Sequence, residues 1–90
     1  MSSANVTISA RKPTGEAASS KASILDIQGE INAAAESALM EAYIQANQAG
    51  AKTIILNFDR LEYMNSSGIG LLVTLLIRVK RQNQKLLAFG

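Results

Sequence analysis

From Ala22 onward the hydrophobic pattern switches back and forth between the period of a strand and that of a helix, and this alternation limits the folds open to the chain more than any single residue does. Ile24, Leu25 and Ile27 make a short apolar run with β-branched members, closed by Gly29-Glu30-Ile31-Asn32, so residues 22 to 31 read as a strand feeding a turn. Ala33 to Ala49 carries seven alanines with Leu39, Met40, Tyr43 and Ile44, and positions 35, 39, 42, 43 and 46 fall on one face of a helix. Asn32 suits the N-cap, because its side-chain oxygen can accept a bond from a free first-turn amide; Glu36 adds favourable charge there, and Gly50 ends the helix as a left-handed residue would. Lys52 to Asp59 returns to a strand in which Ile54, Leu56 and Phe58 face one way and Ile55 the other, so both faces read as buried and the strand as central. After a loop from Arg60 to Ser66, apolar residues at 69, 72, 73, 76 and 79 predict a second helix over residues 68 to 84, with Arg78, Lys80 and Arg81 complementing its C-terminal dipole. Lys85 to Phe89 begins a last strand.

Upstream, Val6 to Ala10 alternates apolar and polar residues as a half-buried strand does, and Arg11 to Ser20 collects Pro13, Gly15 and three hydroxyl residues into a loop. The order is β-β-α-β-α-β. Strands joined through helices imply right-handed parallel crossovers, with the N-terminal strand added antiparallel at an edge. Ninety residues, 48% of them hydrophobic, supply one packed core and exclude two domains, so residues 1–90 read as a single domain. With no cysteine and no histidine, disulfides, thiolate chemistry, zinc clusters and histidine-based triads are excluded; no metal or other cofactor is expected.

The net charge of +2 is sorted along the chain: residues 1 to 21 carry +2, residues 22 to 59 carry −4 and residues 60 to 90 carry +4. That polarity suits a charged protein partner, while +4 over the last third with aromatics at 4% is a poor footprint for nucleic acid. The longest apolar run, Ile69 to Ile77, is interrupted by Gly70 and Thr74 and falls far short of the roughly 20 residues a bilayer demands, and the polar N-terminus does not resemble a signal peptide. No membrane insertion and a cytoplasmic location are expected.

The most informative segment is Tyr63-Met64-Asn65-Ser66-Ser67-Gly68-Ile69-Gly70, between a buried strand and an apolar helix, where open α/β sheets carry their function. Short polar residues before a helix satisfy its first amides, so Asn65, Ser66 and Ser67 can be read as capping residues alone. A serine there can equally be modified, because a phosphoryl group at a helix N-terminus meets free amides and the positive end of the dipole. Gly68-Ile69-Gly70 lacks the Lys-Ser/Thr of a P-loop and the third glycine of a dinucleotide fingerprint. Tyr63 and Met64 read as cover for the core; Asp59, Arg60 and Glu62 read as solvated loop charges, of which Asp59, at the end of the central strand, is the better partner contact. Arg78, Lys80, Arg81 and Lys85 read first as a solvated helix end, with acidic partner surfaces or lipid headgroups as minor alternatives.

This segment resembles the STAS domain of bacterial anti-sigma factor antagonists, as do Gly29-Glu30-Ile31-Asn32 before the first helix and the strand Ile54-Ile55-Leu56-Asn57-Phe58. The resemblance implies an α/β fold, a mixed sheet of about four strands with helices packed on it. It also implies a non-enzymatic module that binds an anti-sigma factor with serine kinase activity, is switched off by phosphorylation of the serine just before the glycine, here Ser67, and is reset by a phosphatase. Asp59, Asn65, Ser66, Ser67, Gly68 and Ile69 are the expected partner contacts. Two departures stand out. The family often has aspartate where this chain has Asn32 and Asn65; asparagine still caps, but an acidic contribution to kinase docking is lost. Family members also continue past the fourth strand with another helix and commonly a last strand, whereas this sequence stops at Gly90, so an uncovered sheet edge and self-association through it are expected. The alternative is a non-switching structural STAS subunit of a larger signalling or transport assembly. Catalysis by Ser66, Ser67, Asp59, Glu62 or a lysine lacks a general base placed beside either serine.

Overall fold

A computed structural model describes residues 6–13 and 21–90. Strand β1 spans Val6–Arg11, β2 Ala22–Ile31, β3 Thr53–Met64 and β4 Lys85–Phe89; helix α1 spans Glu36–Gln48, after a 3-10 turn at Ala33–Ala35, and α2 spans Ser66–Arg81. The expected order of elements holds. Of the expected loop over residues 11 to 20, Arg11 closes β1, Lys12 and Pro13 are irregular, and 14–20 lie outside the described residues.

The sheet runs β1-β2-β3-β4, with β1 antiparallel to β2 and both other pairings parallel. Two right-handed crossovers stepping the same way across a sheet put both helices on one face. There Leu25, Ile27 and Ile31 of β2 and Ile54 and Leu56 of β3 join Leu39 and Tyr43 of α1 and Leu75 and Val79 of α2 in one core. Val6, Ile8 and Ala10 pack against it from β1, while Thr7, Ser9 and Arg11 alternate outward. The face predicted for α1 is the buried one: Ala35, Leu39, Ala42, Tyr43 and Ala46 are all covered.

The expectation that β3 is buried on both faces is not met. Its outward Ile55 is half-exposed beside Ile24 and Leu87, and the next outward row is polar, with Asp26 opposite Asn57. The predicted loop from Arg60 to Ser66 is also corrected, because β3 continues to Met64. Two bulges explain the difference. The pairing with β2 slips between Asp26 and Gln28, and again between Gly29 and Glu30, each time leaving one extra residue on β3. Inward residues therefore run 54, 56, 58, then 61, then 64: Phe58, Leu61 and Met64 all pack on the core, three residues apart.

Both helices end in Schellman motifs. In α1 the Gly50 amide donates to the Asn47 carbonyl and the Ala51 amide to Ala46, with Gly50 at φ 82°. In α2 the Asn83 amide donates to Lys80 and the Gln84 amide to Val79, with Asn83 at φ 57°, so this helix stops at Arg81 instead of the predicted Gln84. Gln84 then ties the elements together: its side chain accepts from Tyr43 Oη at 2.8 Å and donates to the Ala51 carbonyl at 2.8 Å. No helix among the described residues is long and apolar enough to cross a membrane.

Candidate functional site

The turn from β3 into α2 is built by Asn65. Its extended backbone (φ −94°, ψ −176°) lets Oδ1 accept from the Gly68 amide at 2.9 Å, while its carbonyl accepts from Ile69 at 3.1 Å. The Asn65 amide in turn donates to the Ile31 carbonyl at the end of β2, at 3.2 Å. Asn32, expected as the cap of the first helix, caps instead the 3-10 turn that precedes α1, accepting from the Ala34 amide at 2.9 Å, and α1 starts at Glu36 with no side-chain cap. Gly68 is buried and its place demands a glycine: a Cβ there would sit 2.5 Å from the Ile31 carbonyl oxygen and 2.8 Å from Met64 Cγ.

Between this cap and this close contact, Ser66 and Ser67 occupy the first two positions of α2, two residues earlier than the sequence predicted the helix to start. Both are exposed, on a turn whose leading amides have no carbonyl partner inside the helix. No acidic residue sits in that turn, so nothing on the helix itself offsets its positive end. Ile69 follows, 56% exposed. Asn65, Ser66, Ser67, Gly68 and Ile69 thus form one surface, with Asn65 and Gly68 holding the turn and the two serines and Ile69 presented on it. The first turn of a helix offers backbone donors to an anion placed there.

Asp59 does not join them. The extension of β3 places it six residues before Asn65, on the order of 20 Å along a strand. It lines a shallow polar cleft of about 430 Å³ on the helix-free face of the sheet, together with Arg11, Asp26, Asn57 and Arg60. In that cleft Arg11 donates through its guanidinium to both carboxylate oxygens of Asp26, and Asn57 Nδ2 donates to Asp26 Oδ1 at 2.7 Å. The Arg11 hydrogen bond, assisted by Asn57, holds the Asp26 carboxyl below the usual carboxylate range, against the opposing effect of its partial burial. Asp26 and Asn57 went unnoticed in the sequence; the signal was a lone carboxylate inside the apolar run Ile24-Leu25-Asp26-Ile27.

The apolar stripe predicted for α2 is also corrected. Buried residues are Gly68, Leu75 and Val79, with Leu71 and Leu72 partly covered, whereas Ile69, Val73 and Leu76 of the predicted stripe are exposed. Ser67 shares its flank of the helix with Gly70, Thr74, Arg78 and Arg81, which follow at three- and four-residue steps. Among the described residues no group of three His, Cys, Asp or Glu side chains is arranged to hold a metal.

Three comparisons bear on this geometry. No curated protein matches the chain. Among solved structures it is similar to the anti-sigma factor antagonist SpoIIAA in its unphosphorylated form, with a TM-score of 0.67 and 23% identity, over 91% of this chain and 71% of that one. It is similar to an antisigma-factor antagonist STAS domain from Rhodobacter sphaeroides, with a TM-score of 0.72 and 13% identity, over 97% of this chain and 88% of that one. A structure of Mglu gives a TM-score of 0.69 at 19% identity over 80% of this chain, which spans only 18% of Mglu. At such identities the likeness is one of fold. The model of the STAS domain family, however, matches residues 16–88 directly. The chain, carrying the sheet order, the capped serine turn and the matched sequence together, belongs to the STAS domain family.

Proposed function

We propose that the chain is an anti-sigma factor antagonist: unmodified, it sequesters an anti-sigma factor that is also a serine kinase, and phosphorylation at Ser67 releases that partner. The observation that carries this reading is the exposed Ser67 in the first turn of α2, on a turn locked by the Asn65 cap and the Gly68 contact. STAS domains are in general binding modules without catalysis, and the reading needs no cofactor. A phosphoryl group adds about −1.5 to −2 charges at neutral pH, which the helix amides and dipole can hold without unfolding the domain. A partner packed on Ser66, Ser67 and Ile69 would instead bury an unpaired dianion, and each 1.4 kcal/mol of that cost is a tenfold loss of affinity. A phosphatase resets the switch, and all three proteins meet in the cytoplasm. Asp59 contributes only to a partner that also reaches the polar face of the sheet.

Incubation with ATP and a purified anti-sigma kinase, followed by peptide mass spectrometry, tests the switch: phosphate on Ser67, and none on Ser67→Ala, is the expected result. Ser67→Ala should hold the partner constitutively and Ser67→Asp weakly. A chain that binds its kinase yet never acquires phosphate at Ser67 overturns the switch and leaves the second reading, a structural STAS subunit of a larger assembly. Asn65 favours that alternative, because it caps α2 as an aspartate would while offering a kinase no charge. We also propose self-association: β4 is an outer strand of the sheet and exposes Leu87 and Phe89, so a second copy can pair along it. Light scattering should show mass rising with concentration; a constant monomer mass refutes it.

A further inference from the structure

We infer that the cleft between α1 and α2 is a docking groove for an acidic amphipathic helix of a protein partner. The inference deepens the proposed function, since the groove continues the flank of α2 that begins at Ser67, and it rests on that reading for what the partner is. The cleft has a volume of about 580 Å³, and its apolar wall is formed by Met40 and Ile44 of α1 and Ile77 of α2. Ile44 and Ile77 are 52% and 49% exposed, because each lies off the stripe its helix buries on the sheet. Their apolar surface therefore does little for this fold, and it faces a concave channel instead of lying scattered over the surface.

Charge sets the chemistry of the occupant. Arg78 and Arg81 line the same cleft, and no carboxylate among the described residues does. The ion pair found among the described residues joins Arg11 to Asp26, on the far side of the sheet. Two guanidiniums beside an apolar wall complement an amphipathic helix with apolar residues at i, i+3, i+4 and i+7 and acidic residues on the adjoining flank. Along α2 the cleft runs from Thr74 to Arg81, about 10 Å, enough to seat about two turns of a partner helix. A bilayer surface fits less well, because the apolar residues sit in a channel between two helices and Lys80, the remaining cation of the last turn, does not line it. A partner that extends past Thr74 along the same flank of α2 reaches Ser67 as well as the arginines.

The test titrates the full chain against a fluorescein-labelled, helix-forming synthetic peptide with leucines at those spacings and flanking glutamates. A second peptide has glutamine at every glutamate. The glutamate peptide should bind about tenfold more tightly than its glutamine counterpart, and the advantage should shrink at high salt. Arg78→Glu/Arg81→Glu should weaken it about tenfold, and Ile77→Ser should weaken both peptides about fivefold, with circular dichroism unchanged. Amide resonances of Ile44, Thr74 and Ile77 should shift on binding. Equal affinity for the two peptides, no loss in the arginine variant, or shifts confined to Leu87 and Phe89 would overturn the groove. So would arginine-dependent capture by phosphatidylserine vesicles without peptide binding. A chain that binds the peptide but takes no phosphate at Ser67 keeps the groove and loses the switch; the reverse result keeps the switch and loses the groove.

Discussion

The two helices lie on the same face of the same sheet, yet they dispose of their apolar residues in opposite ways. On α1 the large residues Leu39 and Tyr43 are covered, alanines fill the rest of the buried stripe, and Ile44 is the exception on its flank. On α2 the fully buried stripe is a glycine, a leucine and a valine, with Leu71 and Leu72 half-buried beside it, while Ile69, Val73, Leu76 and Ile77 are exposed on its flanks. One helix is apolar enough to close a core. The other is apolar well beyond that need and also carries the exposed serines and the arginines. Exposed apolar surface of that extent goes beyond what this core needs.

The largest expected effect breaks the comparison if it is absent. Leu39→Ala should cost about 2–5 kcal/mol in urea unfolding, whereas Val73→Ala should change stability by no more than about 0.5 kcal/mol. Equal costs would mean that α2 supports the core as α1 does. The two glycines of α2 sharpen the contrast within one helix. Gly68→Ala should destabilise by about 1–3 kcal/mol, because the new methyl group meets the Ile31 carbonyl oxygen, which is backbone and cannot step aside. Gly70→Ala, with nothing within 4 Å of the added atom, should stabilise by about 0.5–1 kcal/mol. Next in size, Asn65→Ala should lower stability by about 1 kcal/mol and Asn65→Asp should not, since either oxygen accepts the Gly68 amide; thermal melts separate the two.

The smallest effect belongs to neither helix. The folded-state pKa of Asp26 lies below its unfolded value, so the folded protein takes up this proton less readily. The contribution is therefore complete above the unfolded value, near pH 4, and is lost as pH falls through the lower folded value. Urea midpoints of the parent and Asp26→Asn, slightly apart at pH 7, should converge as the solution is acidified below about pH 4. A gap that persists at lower pH would remove the carboxylate as its cause.

What was legible in the sequence follows from which local rules survive in the fold. The buried face of α1 and its Gly50 terminus could be read because the helical period is intact and the end is marked by the residue that most readily takes a positive φ; Asn32 caps the 3-10 turn that leads into the helix, not α1 itself. The end of α2 is unmarked in the sequence, because Asn83 does the work of Gly50 without the same signal. The second half of β3 does not show in the sequence, because two bulges convert its alternation into the spacing Phe58, Leu61, Met64, which matches no strand. Asp59 follows from the same bulges: with β3 continuing to Met64, it lies on the polar face of the sheet and away from the serines. The buried stripe of α2 is hidden for a different reason. With apolar residues on three sides of the helix, periodicity cannot say which side the sheet takes, and the buried Gly68 contributes no hydrophobic signal at all. The serine turn itself was found because cap, hydroxyls and glycine are consecutive in the chain.

The Ile31 carbonyl has a consequence for timing. By accepting the Asn65 amide and lying under Gly68, it bolts the serine turn to β2, an interior strand of the sheet. A surface mounted that rigidly loses little freedom when something docks on it, so its affinity is set by fit and charge and not by the work of ordering a loop. A modification at Ser67 would then be felt as a change in how long a complex survives, with the shape of the domain left as it was.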